Sequence, residues 1–86
     1  MGEKEATVKN KLGIHARPSA LLVQAAAKFS SEITLTKEGL EVNGKSIMGV
    51  MMLAAETGAK ILVRTEGDDE DAALVKMVAM IEYKFD

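Results

Sequence analysis

Glu32-Ile33-Thr34-Leu35-Thr36-Lys37-Glu38-Gly39-Leu40-Glu41-Val42-Asn43-Gly44 decides the architecture of this chain. Between Glu32 and Thr36 apolar and polar residues alternate, with Ile33 and Leu35 on one face, the period of a half-buried strand. Glu38-Gly39 is a short turn, and Leu40 to Val42 pairs back as a brief second arm. A hairpin here commits the chain to an antiparallel sheet, and Asn43-Gly44 then signals another change of direction.

Upstream, Glu3 to Lys9 alternates weakly, with Ala6 and Val8 on one face and Glu5, Thr7 and Lys9 on the other, which predicts a first strand. Asn10 to Gly13 turns the chain. From Ala16 to Phe29 the apolar residues Leu22, Ala25, Ala26 and Phe29 fall at the spacing of one helical face, and the alanines raise helix propensity. Downstream, Ser46 can cap a short helix over about Ile47 to Leu53, and Gly58 marks the exit before a strand at Lys60 to Thr65. Leu74, Met77, Val78, Ile81 and Phe85 then repeat at helical spacing behind Asp68, Asp69, Glu70 and Asp71, an acidic first turn that complements the helix macrodipole. The aromatic residues Phe29, Tyr83 and Phe85 all fall in these helical patterns.

The order βαββαβα predicts an α+β domain of two layers. It is an open-faced sandwich in which a four-stranded antiparallel sheet is covered on one face by three helices. The other sheet face should be polar, since Thr7, Thr34, Thr36, Glu41 and Arg64 lie between the inward positions. Residues 1–86 are read as one domain, with room for a single core and little for a deep cleft. The absence of cysteine excludes disulfides, thiol catalysis and thiolate metal sites. Charged residues at Glu3, Lys4, Glu5, Lys9 and Lys11 interrupt any apolar run of leader or membrane-span length, so a cytoplasmic protein without membrane insertion is expected.

Chemistry concentrates in Gly13-Ile14-His15-Ala16-Arg17-Pro18, where the strand pattern gives way to the helix pattern around the single histidine of the chain. A neutral imidazole is a nucleophile, and the positive end of a helix disfavours its protonated form. The first helical N–H groups, from Ala16 and Arg17, have no intrahelical partner and suit a phosphoryl group, as does the guanidinium of Arg17. Pro18 fits a first helical turn, where its missing N–H costs nothing, although proline biases the preceding Arg17 away from helical dihedrals. An incidental cap or surface histidine would look the same to composition and spacing alone. A Ser-His-Asp triad or a histidine metal cluster would have to share this one ring, and no metal or cofactor is expected.

Ile47, Met48, Val50, Met51 and Met52 make the short helix apolar around most of its circumference, more than one core-facing stripe requires. Ile47, Met48 and Met51 are expected to face outward beside His15 as an adaptable docking surface; a tightly buried helix is the alternative. Eleven basic and thirteen acidic residues give a net charge of −2. With so few aromatic residues, all in helical patterns, that balance argues against a nucleic-acid module. A self-contained enzyme is also disfavoured, because nothing here would activate a donor.

The string Gly13 to Pro18 resembles the phosphohistidine signature of the HPr family, the phosphocarriers of the bacterial phosphoenolpyruvate-dependent sugar phosphotransferase system. Lys45-Ser46-Ile47-Met48-Gly49-Val50-Met51 resembles the regulatory-serine segment of the same family, at the corresponding place. The resemblance implies a covalent carrier rather than an enzyme: His15 accepts a phosphoryl group on Nδ1 from phospho-enzyme I and passes it to IIA proteins of sugar permeases, with Arg17 steadying the group in transit. It further implies phosphorylation of Ser46 by an HPr kinase/phosphorylase, although serine is equally a favoured plain N-cap. A monomer is expected. A regulatory paralogue, in a nitrogen-related branch or in catabolite-repression control, is the alternative role. Leu12 departs from the family, many members of which carry a small polar residue there.

Overall fold

The computed structural model describes residues 1–84. Its elements are β1 (Gly2–Thr7), α1 (Ala16–Ala26), β2 (Glu32–Lys37), β3 (Leu40–Asn43), α2 (Ile47–Met52), β4 (Lys60–Glu66) and α3 (Glu70–Ile81). The strands form one antiparallel sheet in the order β1-β4-β2-β3. This is the expected two-layer arrangement, with β4 inserted between the first strand and the hairpin.

Register follows the alternation of the sequence. Leu35 stands between Val42 on β3 and Val63 on β4, and Ala6 opposes Ile61, so these residues share one face. A slip of one position would turn every one of them toward solvent. Against that face lie Leu22, Ala25 and Ala26 of α1, Val50 of α2, and Ala73, Met77, Val78 and Ile81 of α3, all buried. Helix α3 covers β1 and β4, α2 packs on β3, and α1 touches both helices. Complete burial of a side chain such as Leu22, Leu35, Ile61 or Met77 contributes ~1.5–3 kcal/mol from apolar area alone. On the opposite face Thr7, Thr34, Thr36 and Arg64 are half-buried and Glu41 is exposed, the polar surface the pattern predicts.

The hairpin turn carries left-handed backbone at both Glu38 (φ 50°) and Gly39 (φ 83°). Such a two-residue turn matches the twist of the strands it joins.

The element ends differ from the sequence expectation in instructive ways. Helix α1 stops at Ala26 rather than at Phe29, because the chain tightens: Lys28 N–H donates to Ala25 O (3.2 Å) and Phe29 N–H to Ala26 O (3.1 Å), bonds one residue shorter than helical ones. The Phe29 carbonyl is taken by Lys45 Nζ at 2.7 Å, and Phe29 still packs against the core. Strand β1 ends at Thr7, yet Val8 keeps two sheet-like bonds, donating to Ala59 O (2.9 Å) and accepting from Gly58 N–H (2.8 Å). Strands β2 and β4 each run one residue further than expected, while α2 ends at Met52 with Leu53 as its cap. Tyr83 lies beyond α3, which ends at Ile81. The expected helical position of Phe85 falls outside the described residues.

The acidic run splits into separate jobs. Glu70 and Asp71 lie in the first turn of α3, where carboxylates complement the dipole. Asp69 instead reaches away from its helix: its carboxylate accepts from Ser30 N–H and Ser31 N–H, each at 2.9 Å, and from the Ser31 hydroxyl. Those bonds, led by the Ser31 hydroxyl, hold the Asp69 carboxyl at about 2, below its ordinary 3.8. The segment between α1 and β2 is thereby tied to the start of α3.

Candidate functional site

The turn that delivers His15 is locked from within and from outside. Asn10, almost fully buried, donates from Nδ2 to Gly13 O (2.8 Å), while Gly13 N–H donates back to Asn10 O (2.9 Å). Gly13 then adopts φ +75°, and its α-carbon approaches the α2–β4 connection so closely that a Cβ would stand 2.3 Å from Ala55 O. Glycine is required there twice, by conformation and by space. Ile14 follows with its side chain in the core and its N–H donating to Ala55 O at 2.8 Å.

His15 is the next residue, so its backbone is fixed immediately upstream by a buried contact. It occupies the N-cap of α1 with extended dihedrals (φ −99°, ψ −160°), and its carbonyl accepts the Ser19 N–H at 2.9 Å. Its ring is exposed and makes no capping hydrogen bond among the described residues. A histidine serving as a structural cap would hold a helix N–H; this one leaves them available.

Helix α1 begins at Ala16, so Ala16 and Arg17 present N–H groups without intrahelical acceptors, and Pro18, third in the helix, has none to present. Proline here sits deeper than the first helical position and is buried, and Arg17 ahead of it keeps helical structure despite the usual bias. The exposed ring, the two N–H groups without intrahelical acceptors, the positive helix end and the exposed Arg17 side chain thus gather within three consecutive residues. Such a group can receive a phosphoryl anion at the surface without enclosing it.

Ser46 caps α2, its hydroxyl accepting from Gly49 N–H at 3.1 Å. Because the residue three positions into the box is glycine, no side chain returns the bond, and the capping box is half complete. Lys45, just before it, donates its backbone N–H to Asn43 Oδ1 (2.8 Å) and its ammonium to Phe29 O, so the serine is held from both sides. On α2, Val50 faces the core; Ile47, Met48, Met51 and Met52 are 42%, 69%, 43% and 62% exposed. The outward placement expected of Ile47, Met48 and Met51 is what the fold shows. Leu12, on the turn before His15, is also exposed.

Three contributors are silent in the sequence patterns. The first is Asn10, read there as an ordinary turn residue, though an asparagine two or three residues before a glycine is the kind of side chain that bonds its own turn. Ala55 contributes only a carbonyl, which leaves no trace in sequence. The last is Ala54, whose φ of +48° carries the chain out of α2 so that Ala55 O meets Ile14. Glycine is the usual residue at such a helix exit, and an alanine gives no cue to a left-handed turn.

No helix among the described residues is long and apolar enough to cross a membrane. The family model described as the PTS HPr component phosphorylation site matches residues 2–83. The phosphocarrier protein HPr of Xylella fastidiosa (strain Temecula1) is 53% identical over 85 residues, covering 99% of this chain and 96% of that protein. An HPr-like protein Crh from Halalkalibacterium halodurans is 51% identical, covering 95% of this chain and 98% of its own length. Among solved structures, the phosphocarrier protein HPr of Bacillus anthracis superimposes with a TM-score of 0.91 at 44% identity, covering 94% of this chain and 96% of the other. With a family match over nearly the whole length, half the residues shared with full-length relatives and a superimposable fold, this chain belongs to the HPr family of the phosphotransferase system.

Proposed function

We propose that this protein is a cytoplasmic, monomeric, single-domain phosphoryl carrier: His15 takes a phosphoryl group from the phosphohistidine of enzyme I and passes it to a histidine of IIA proteins. The observation that carries this reading is the exposed His15 ring at the N-cap of α1, making no capping bond and standing directly before the Ala16 and Arg17 N–H groups. In the first step Nδ1 of the neutral ring forms a bond to phosphorus as the donor's N–P bond breaks, the other ring nitrogen keeping its proton. The transferred group then lies near the helix start and Arg17, whose charge-assisted bonds stabilise it by ~1–3 kcal/mol at an exposed site. That modest figure suits a carrier, which must release what it binds. The second transfer reverses the first, with the IIA histidine as nucleophile.

Ile47, Met48 and Met51 dock the partners in turn. Phosphorylation of Ser46 by an HPr kinase/phosphorylase would put roughly −2 charge at the start of α2, where the dipole favours it. Such a change leaves the fold intact and acts by repelling an acidic or phosphate-bearing partner.

Incubation with enzyme I and phosphoenolpyruvate is the test. Acid-labile phosphate should map to His15 and be absent from His15→Ala; equal labelling of that variant overturns the proposal. Kinase and ATP should label Ser46 and not Ser46→Ala. The similarity to a Crh protein favours a second reading, a regulatory paralogue in catabolite-repression control. The intact His15 argues against a form that keeps the serine switch alone, and transfer to a IIA protein separates the two.

A further inference from the structure

Four of the six residues of α2 form a continuous outward stripe. At 100° per residue, Ile47, Met51, Met48 and Met52 fall in that order around the helix, while Val50 turns to the core and Gly49 rests on Val42 and Asn43. Three of the stripe's members are methionines, between 43% and 69% exposed, whereas Met77 is fully buried and Met80 half-buried in α3. Met1 is exposed as well, its sulfur accepting from Arg64 Nη2 at 3.3 Å, while the exposed methionines of α2 lie within the surface proposed for partner docking.

We infer that Met48, Met51 and Met52 are a reversible oxidation site through which peroxide-class oxidants switch off partner docking. The inference rests on the carrier reading above. Each thioether sulfur gives up two electrons and gains one oxygen; the O–O bond of hydrogen peroxide breaks, and its second oxygen leaves as water with both protons. The product is methionine sulfoxide, which a methionine sulfoxide reductase returns to the thioether. A flexible apolar contact becomes a dipolar one that must be desolvated when a partner covers it.

The fold is insulated from the change. Helix α2 anchors through Val50, the Ser46 cap and the following Leu53, none of which carries sulfur. Oxidation therefore acts on association while the core and the His15 turn keep their structure.

The experiment treats the whole protein with hydrogen peroxide, maps sulfoxides by peptide mass spectrometry, and measures binding to enzyme I and phosphoryl transfer from it. Met48, Met51 and Met52 should be modified before Met77, affinity for enzyme I should fall about tenfold, the scale of losing one well-packed contact, and thermal unfolding should barely move. Methionine sulfoxide reductase should restore the affinity. A triple Met48→Leu, Met51→Leu, Met52→Leu variant, scored against its own untreated affinity, should be insensitive to the same treatment. Sulfoxides at these positions with unchanged affinity overturn the inference, as does equal peroxide sensitivity in the triple variant. An untreated protein that enzyme I neither binds nor phosphorylates overturns the carrier reading instead, and this inference with it.

Discussion

The turn before His15 and the helix after Ser46 are built in opposite ways. Residues 10–14 are held by a buried asparagine, a glycine pressed on Ala55 O and an N–H donated across the molecule to that same carbonyl. Helix α2 is held by its own serine cap and by Val50, with most of its apolar surface turned outward. The contrast fits two demands that the proposed carrier role would make. Covalent transfer needs the ring and the free N–H groups in fixed relation, which buried hydrogen bonds and close packing supply. Docking to several partners, as proposed for α2, would need a surface that can repack, a property of exposed methionines on a short helix.

The sharpest attempt to break this contrast is Gly13→Ala. A left-handed alanine costs ~1–2 kcal/mol, and a methyl 2.3 Å from Ala55 O forces a backbone shift worth a further ~1–3 kcal/mol. Chemical denaturation should show that combined loss, and the rate of His15 labelling should fall with it. A stable variant that labels at the native rate would mean the turn does not position the ring. Asn10→Ala is next: removing the buried Nδ2 leaves Gly13 O unpaired, a loss of ~1–3 kcal/mol, and labelling should slow more than partner affinity falls.

Ser46→Ala tests the other region. Losing this cap should cost ~1 kcal/mol, a drop in unfolding temperature of about 4–8 °C for a domain of this size. Labelling of His15 should change little once the variant is folded, because the cap bond lies within α2.

The last effect depends on pH and involves the N-cap of α3, which belongs to neither region. Asp69 has a folded value near 2 against an ordinary 3.8, so its contribution to stability is complete above about pH 4 and is lost as pH falls toward 2. Asp69→Asn should unfold at a lower temperature than the native protein at neutral pH, and the gap should close over that acid range. Transfer at neutral pH should be unaffected in the folded variant, showing that lost stability alone does not slow the chemistry.

Much of the fold was legible because its elements carry the periods that burial imposes. Ile33 and Leu35 alternate, Leu22 and Ala26 recur at helical spacing, and both sets reach the core as expected. The end of α1 was not legible, since Phe29 keeps the helical period after the hydrogen bonding has shortened. Nor was the role of Asp69: next to Glu70 and Asp71 it reads as another dipole-matching carboxylate, but its partners Ser30 and Ser31 belong to a different part of the chain.

By itself the sequence determined the element order, the inward faces, the serine cap and the residue types gathered around His15. Each is a property of neighbours within a few turns or strand steps. Only the tertiary structure decided where His15 stands. Its backbone is set by Ala55, whose carbonyl is turned toward Ile14 by a left-handed Ala54 and accommodated by the missing side chain of Gly13. Those contacts join segments far apart in sequence through backbone atoms, which every residue carries alike. No choice of side chain at Ala54 or Ala55 announces them.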